Sequence, residues 1–133
     1  MRHTNRLIML VTFVATMVVG TSALFAFGRD ADGSRMQARA HQLGQSASDR
    51  LSPPTDSVDW RYVRLKEGHT IEIVVSAPDK AGVRVSLTDA VGKNLASGRS
   101  KKGQAKIRRR VEPGLYYISV SSNQSCTYKV SIR

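Results

Sequence analysis

The sequence predicts an all-β fold, a small antiparallel β-sandwich or jelly roll, preceded by an N-terminal hydrophobic helix and a polar connector. Three observations lead there. Residues 57–133 alternate apolar and polar positions with a period of two and favour β-branched and aromatic side chains. Turn-forming residues break that alternation about every 8–12 positions, the spacing of short strands in a two-sheet domain. Ahead of residue 57 the composition changes twice, from an unbroken apolar run to a polar stretch. At 133 residues there is room for one modest domain and a leader.

Residues 1–28 read as a signal peptide or an N-terminal membrane anchor. Arg2, His3 and Arg6 precede an uncharged apolar run from Leu7 to Phe27. A run of roughly 20 apolar residues can span a bilayer as a helix, and the basic flank stays on the cytoplasmic side. Small residues at Thr21 and Ala23, or Ala26 and Gly28, would suit cleavage; length and the bulky Leu24, Phe25 and Phe27 favour retention. Either outcome places the rest of the chain beyond the cytoplasmic membrane, in the cell envelope or secreted.

Residues 29–56 read as a polar, partly helical linker. Met36, Ala40, Leu43, Ala47 and Leu51 recur at helical spacing, interrupted by Gly44, and Pro53-Pro54 stops any helix.

From residue 57 the strands follow in order. Val58 to Leu65 is the first, closed by a turn at Lys66-Glu67-Gly68-His69. Ile71, Ile73 and Val75 are the inward set of the second, and Ala77 to Gly82 is a loop. Val83, Val85 and Leu87 alternate with Arg84, Ser86 and Thr88 in the third. Asp89 to Asn94 makes a hairpin turn into a short strand carrying Leu95, and a basic loop runs from Ser97 to Gly103. Ala105, Ile107 and Val111 mark the next strand. After Pro113-Gly114, where Pro fixes φ and Gly tolerates positive φ, Tyr116, Ile118 and Val120 face the core. Tyr128, Val130 and Ile132 do the same in a last strand, which reads as the partner of the one before it.

Four stretches in that order resemble one known family. Asp59 to Thr70 is similar to the opening "D-W-Y-x-F-x-V-x-x-G-D-T" of bacterial pre-peptidase C-terminal domains. Val85 to Ser97 resembles their "L-x-L-x-D-x-x-G-x-x-L-A-S" middle, Val111 to Val120 their "L-x-P-G-T-Y-Y-I-x-V" end, and Thr127 to Ile132 their closing strand. The resemblance covers residues 57–133 and nothing before them. It implies a β-sandwich of the kind attached to secreted peptidases, in some cases binding calcium or a matrix substrate such as collagen. Where the family's middle motif carries more acidic residues, this chain has Gly82-Val83-Arg84-Val85, so the acidic pattern does not support calcium, and no cofactor is expected.

The function classes narrow accordingly. His3, His41 and His69 lie in the leader, the linker and a turn, in no spacing that builds a triad or a metal site, and no G-x-S-x-G elbow occurs. The expectation is a protein that is not an enzyme and has no small-molecule substrate. Net charge is +11, which draws a protein toward polyanions. The cations concentrate in Arg99 to Arg110. Lys106, Arg108 and Arg110 should share one outer face, joined by Lys101 and Lys102 and by outward Arg84 and Lys129. Arg109 falls on an inward position, so an edge or a bulge is expected there. Trp60 and Tyr117 are the candidate aromatic contacts, Trp60 serving equally well as a core aromatic. Cys126, the one cysteine, reads as a small semi-buried residue, with intermolecular pairing the alternative.

These readings describe an exported, membrane-tethered, non-catalytic binding domain. Its tether would be residues 7–27 if uncleaved, and its partner an anionic envelope or matrix polymer or an envelope protein. Nucleic acid is disfavoured outside the cell. The alternative is an accessory domain that assists secretion, folding or substrate targeting of a separately encoded secreted peptidase.

Overall fold

A computed structural model describes residues 32–133, in which nine strands build two facing sheets. The leader readings, signal peptide or anchor, lie outside the described residues. The strands are β1 (Arg39–Ala40), β2 (Gln45–Leu51), β3 (Val58–Leu65), β4 (His69–Ser76), β5 (Arg84–Asp89), β6 (Asn94–Arg99), β7 (Gln104–Val111), β8 (Gly114–Ser121) and β9 (Cys126–Ile132). The first sheet runs β1-β3-β8-β5-β6 and the second β2-β9-β4-β7. Every pairing is antiparallel except β1 with β3.

The period-two pattern becomes the core directly. Val63 and Leu65 of β3, Ile71, Ile73 and Val75 of β4, and Val85 and Leu87 of β5 turn between the sheets. So do Ile107, Ile118, Val120, Tyr128, Val130 and Ile132, all buried. Alternation puts one side of each strand in this layer and the other in solvent.

The chain shuttles between the sheets, and among the described residues only β5 and β6 form a hairpin within one sheet. Asp89 shapes that hairpin, its Oδ1 accepting the backbone N–H groups of Val91 and Lys93. Pro113-Gly114 is therefore a corner at which the chain leaves the second sheet for the first. The last two strands, expected to pair with each other, instead face each other across the core: β8 is flanked by β3 and β5, β9 by β2 and β4. Alternation fixes which side of a strand is buried but not which neighbour it hydrogen-bonds.

The partly helical linker is also corrected. Gln45–Leu51 is a strand paired along its whole length with β9, and Leu51 is fully buried. Arg39–Ala40 adds a short parallel edge to β3. Among the described residues the stretch forms no α-helix, and its only helical residues are the 3-10 turn Arg35–Gln37. The free edge of β9 supplied hydrogen-bond partners that a short, Gly-interrupted helix could not match.

The two sheets approach closely where β6 meets β7. A Cβ on Gly98 would sit 3.0 Å from the Lys106 carbonyl oxygen and 3.5 Å from Ile107 Cγ1. Gly98→Val should therefore cost about 1–3 kcal/mol through overpacking, measured as a lower urea midpoint at unchanged m-value.

Candidate functional surfaces and a buried charge cluster

The outward positions of the second sheet form a cationic face. β7 contributes Lys106, Arg108 and Arg110, all exposed, and β9 contributes Lys129. Registry brings them together: Lys106 is opposite Val74, Arg108 opposite Glu72 and Arg110 opposite Thr70, while Lys129 lies opposite Ser76 on the other flank of β4. Strands in a sheet are about 4.8 Å apart, so Lys129 sits roughly 10 Å from the β7 row. Arg50 of β2, between inward Asp49 and Leu51, and Arg133 beyond β9 extend the face.

Six cations, Arg50, Lys106, Arg108, Arg110, Lys129 and Arg133, thus lie along a face whose outward strand positions carry one carboxylate, Glu72. Its Oε1 lies 2.5 Å from an Arg133 guanidinium nitrogen and 3.6 Å from Lys106 Nζ. The hydrogen bonds from Arg133 hold the Glu72 carboxyl below the usual range. Among the described residues the charged side-chain groups of Arg50, Arg108, Arg110 and Lys129 have no carboxylate within 4.0 Å. Arg109 pairs with buried Ile71 but sits on the free edge strand, so its side chain reaches solvent without a bulge.

Lys101 and Lys102 occupy the turn between β6 and β7, Lys102 with a positive φ of 51°. The Ala77 N–H donating to the Gly103 carbonyl, together with the Asp79 carboxylate accepting from the Gly103 N–H, holds that turn.

Arg84 does not join this face. β5 belongs to the first sheet, so its outward side chain points away from the opposite side of the molecule. Tyr117 is separated from the cations for the same reason, because β8 also belongs to the first sheet. There Tyr117 lies opposite Tyr62, with ring centroids 6.4 Å apart, and Trp60 lies opposite Ser119. The Arg35 guanidinium sits 5.5 Å from the Tyr117 ring centre, a cation–π distance. The two outer surfaces therefore differ: cationic on one sheet, aromatic and hydroxyl-rich on the other.

Between the sheets lies a cluster of buried charge. Asp59 and Arg61 occupy inward positions of β3, 1% and 6% exposed. With Asp32 and Asp49 they form a group in which the three carboxylates each place an oxygen within 4.8 Å of the others. Arg39 bridges Asp32 and Asp49 at 3.3 Å each, and Arg61 reaches Asp49 at 3.3 Å. The Tyr128 hydroxyl donates to Asp59 Oδ2 at 2.5 Å. Desolvation pushes the Asp59 carboxyl up to about 7, and burial with this hydrogen bond raises the Tyr128 phenol.

This is the one carboxylate group among the described residues whose oxygens converge as a calcium site requires. The donor set does not fit that ion: it would have to displace two guanidinium groups that already offset the carboxylates. What the cluster does is tie the segment before β2 to the sandwich. The Asp32 carbonyl accepts from Trp60 N–H and the Tyr62 carbonyl accepts from His41 N–H. Neutral His41 bridges to the Gln45 carbonyl at 2.9 Å, and burial lowers its pKa.

No family model matches the chain, and no curated protein does. Solved structures do. The pre-peptidase C-terminal domain of a collagenase from Bacillus anthracis superposes with a TM-score of 0.66 at 21% identity, covering 72% of this chain and 94% of that one. A carbohydrate-binding module in complex with calcium and xylotriose is a weaker likeness, at a TM-score of 0.35 and 14% identity over 69% of this chain and 92% of that one. With two sheets, the expected inward sets and this superposition, the chain has the fold of a pre-peptidase C-terminal domain.

Proposed function

We propose that this chain is an exported, membrane-tethered binding domain without catalytic activity, and that it engages an anionic polymer of the cell envelope or matrix. The contact surface is the outer face of the second sheet. One observation carries the reading: six cations share that face with one outward strand carboxylate, and four of the six side chains have no ion-pair partner among the described residues. Charges of one sign gathered on a flat face sum their potentials, and a repeating polyanion can answer several at once. The apolar run 7–27 behind a basic flank supports the tether and the export.

The test is retention of the full-length chain on heparin, a sulfated polysaccharide used as a probe. Reversing Lys106, Arg108 and Arg110 to Glu lowers net charge from +11 to +5. It should move elution to much lower salt, since exposed charges act within a Debye length of about 8 Å at physiological ionic strength. Reversing Lys66, Lys80 and Lys93, which lie off this face, changes net charge equally and should move elution far less. Equal elution of the two variants would discard the face as the binding surface.

The fold likeness to a collagenase domain favours a second reading, an accessory domain serving a separately encoded secreted peptidase. That reading expects a peptidase to co-purify from envelope fractions, and to do so undiminished with the face reversed.

A further inference from the structure

On the first sheet, away from the cationic face, three outward side chains stand in one cross-strand row: Ser121 of β8, Arg84 of β5 and Arg99 of β6. Arg84 and Arg99 are direct partners on adjacent strands, both exposed. Like charges placed opposite each other destabilise a sheet. Among the described residues neither arginine has a carboxylate within 4.0 Å to relieve this. The pair borders a cavity of about 150 Å³, lined also by Gly82, Ser121, Ser122 and Asn123 and by no acidic residue.

The fold holds these groups in place from three directions. Gly82, in the left-handed region at φ 56°, ends the 3-10 turn Asp79–Ala81 and leads the chain into β5. The Ser100 N–H donates to the Val83 carbonyl at 2.8 Å and so fixes Arg99 beside Arg84. Ser122 donates its hydroxyl to the Ala81 carbonyl at 2.5 Å and accepts from the Gln124 N–H, which sets the loop carrying Asn123. With Ser122 engaged, the donors lining the cavity that have no side-chain partner among the described residues are two guanidinium forks, the Ser121 hydroxyl and the Asn123 amide.

We infer that this cavity is a binding site for a tetrahedral oxyanion, a phosphate or sulfate group. A guanidinium fork matches two oxygens of such a group with two parallel N–H bonds. Two forks on adjacent strands, with a hydroxyl and an amide beside them, supply donors for its remaining oxygens. A cavity of this volume has room for one such group. A bound dianion also removes the Arg84–Arg99 repulsion. This site is on the opposite sheet from the cationic face and stands or falls separately from it. Its ligand is either a free ion or the same group esterified to a sugar chain.

The experiment is an amide chemical-shift titration of the full-length chain in non-ionic detergent with inorganic phosphate, inorganic sulfate and a sulfated disaccharide. Saturable shifts should be confined to residues 82–84, 99–100 and 121–123. Arg84→Ser and Arg99→Ser should each weaken binding at least tenfold. Reversal of Lys106, Arg108 and Arg110 should leave it within about twofold. The double variant Arg84→Lys, Arg99→Lys keeps the charge and loses the forks, so it should also bind at least tenfold more weakly. Equal affinity in that double variant, or shifts that spread over the whole basic surface without saturating, overturns the proposal. Tighter binding of the disaccharide than of inorganic sulfate assigns the site to a polymer-borne group, and equal binding to the free ion.

Discussion

Arg61→Met should destabilise the domain by about 3–5 kcal/mol, the usual cost of removing one partner from a buried charge network. Methionine preserves most of the side-chain length and packing, so the loss isolates the guanidinium. In the native fold Arg39 and Arg61 offset Asp32, Asp49 and Asp59. Without Arg61, three carboxylates share one arginine, and that arginine is partly solvent-exposed. Asp49 bears the change most directly, since its Oδ2 is 3.3 Å from the Arg61 guanidinium. Adding Asp49→Asn should restore at least about 1 kcal/mol, because it deletes the carboxylate that lost its partner. Urea unfolding at pH 7 measures both. Hydrogen exchange supplies a local readout: the His41 amide, bonded to the Tyr62 carbonyl, should exchange faster in the single variant. A single variant within about 1 kcal/mol of the native chain would mean that packing alone holds the segment before β2.

How much of this could be read beforehand differs from residue to residue. Strand β6 carries Leu95 alone and was marked by the Asp89 to Asn94 turn before it. Strands β3 to β5 and β7 to β9 were legible because each carries at least two large apolar residues on one side, as with Ile71, Ile73 and Val75 or Tyr128, Val130 and Ile132. β2 was not, because Ala47 and Leu51 are four residues apart and satisfy a period of two and a period of 3.6 equally. Its third inward position is Asp49, which hides the pattern further. Pairing with β9 decided the outcome, and no local signal carries that information. Misreading β2 is also why Arg50 was missed from the cationic face. Arg84 went to the wrong surface for a related reason: outward is readable in one strand, but the sheet to which it belongs is set by long-range pairing. The buried cluster did have a signal. If Val63 and Leu65 face inward, Arg61 and Asp59 must do so too, and two charged residues on a buried face require partners.

The same cluster sets a pH dependence that Asp59→Asn should expose. Asp59 is 1% exposed, and desolvation raises its carboxyl from 3.8 to about 7 in the folded chain. Between those values the folded state holds a proton that the unfolded state has released. Its contribution is therefore present at low pH and is lost as pH rises toward 7. A difference of that size corresponds to roughly 4 kcal/mol at 1.36 kcal/mol per pH unit. Asparagine mimics the neutral acid at every pH and can still accept the Tyr128 hydroxyl bond. The Asn variant should gain on the native chain by about 2–4 kcal/mol between pH 4 and pH 8, most of it below pH 7. His41 acts in the opposite direction: burial lowers its folded value below 6.5, so its contribution is lost as pH falls through that range. Both chains carry His41, so it cancels in the difference and leaves the Asp59 limb alone. Paired urea titrations across this range provide the measurement. A difference that stays flat would mean that Asp59 is ionised in the fold, with the two arginines holding three full negative charges. In that case Arg61→Met should cost the upper end of its range, because none of the three carboxylates could take refuge in a proton.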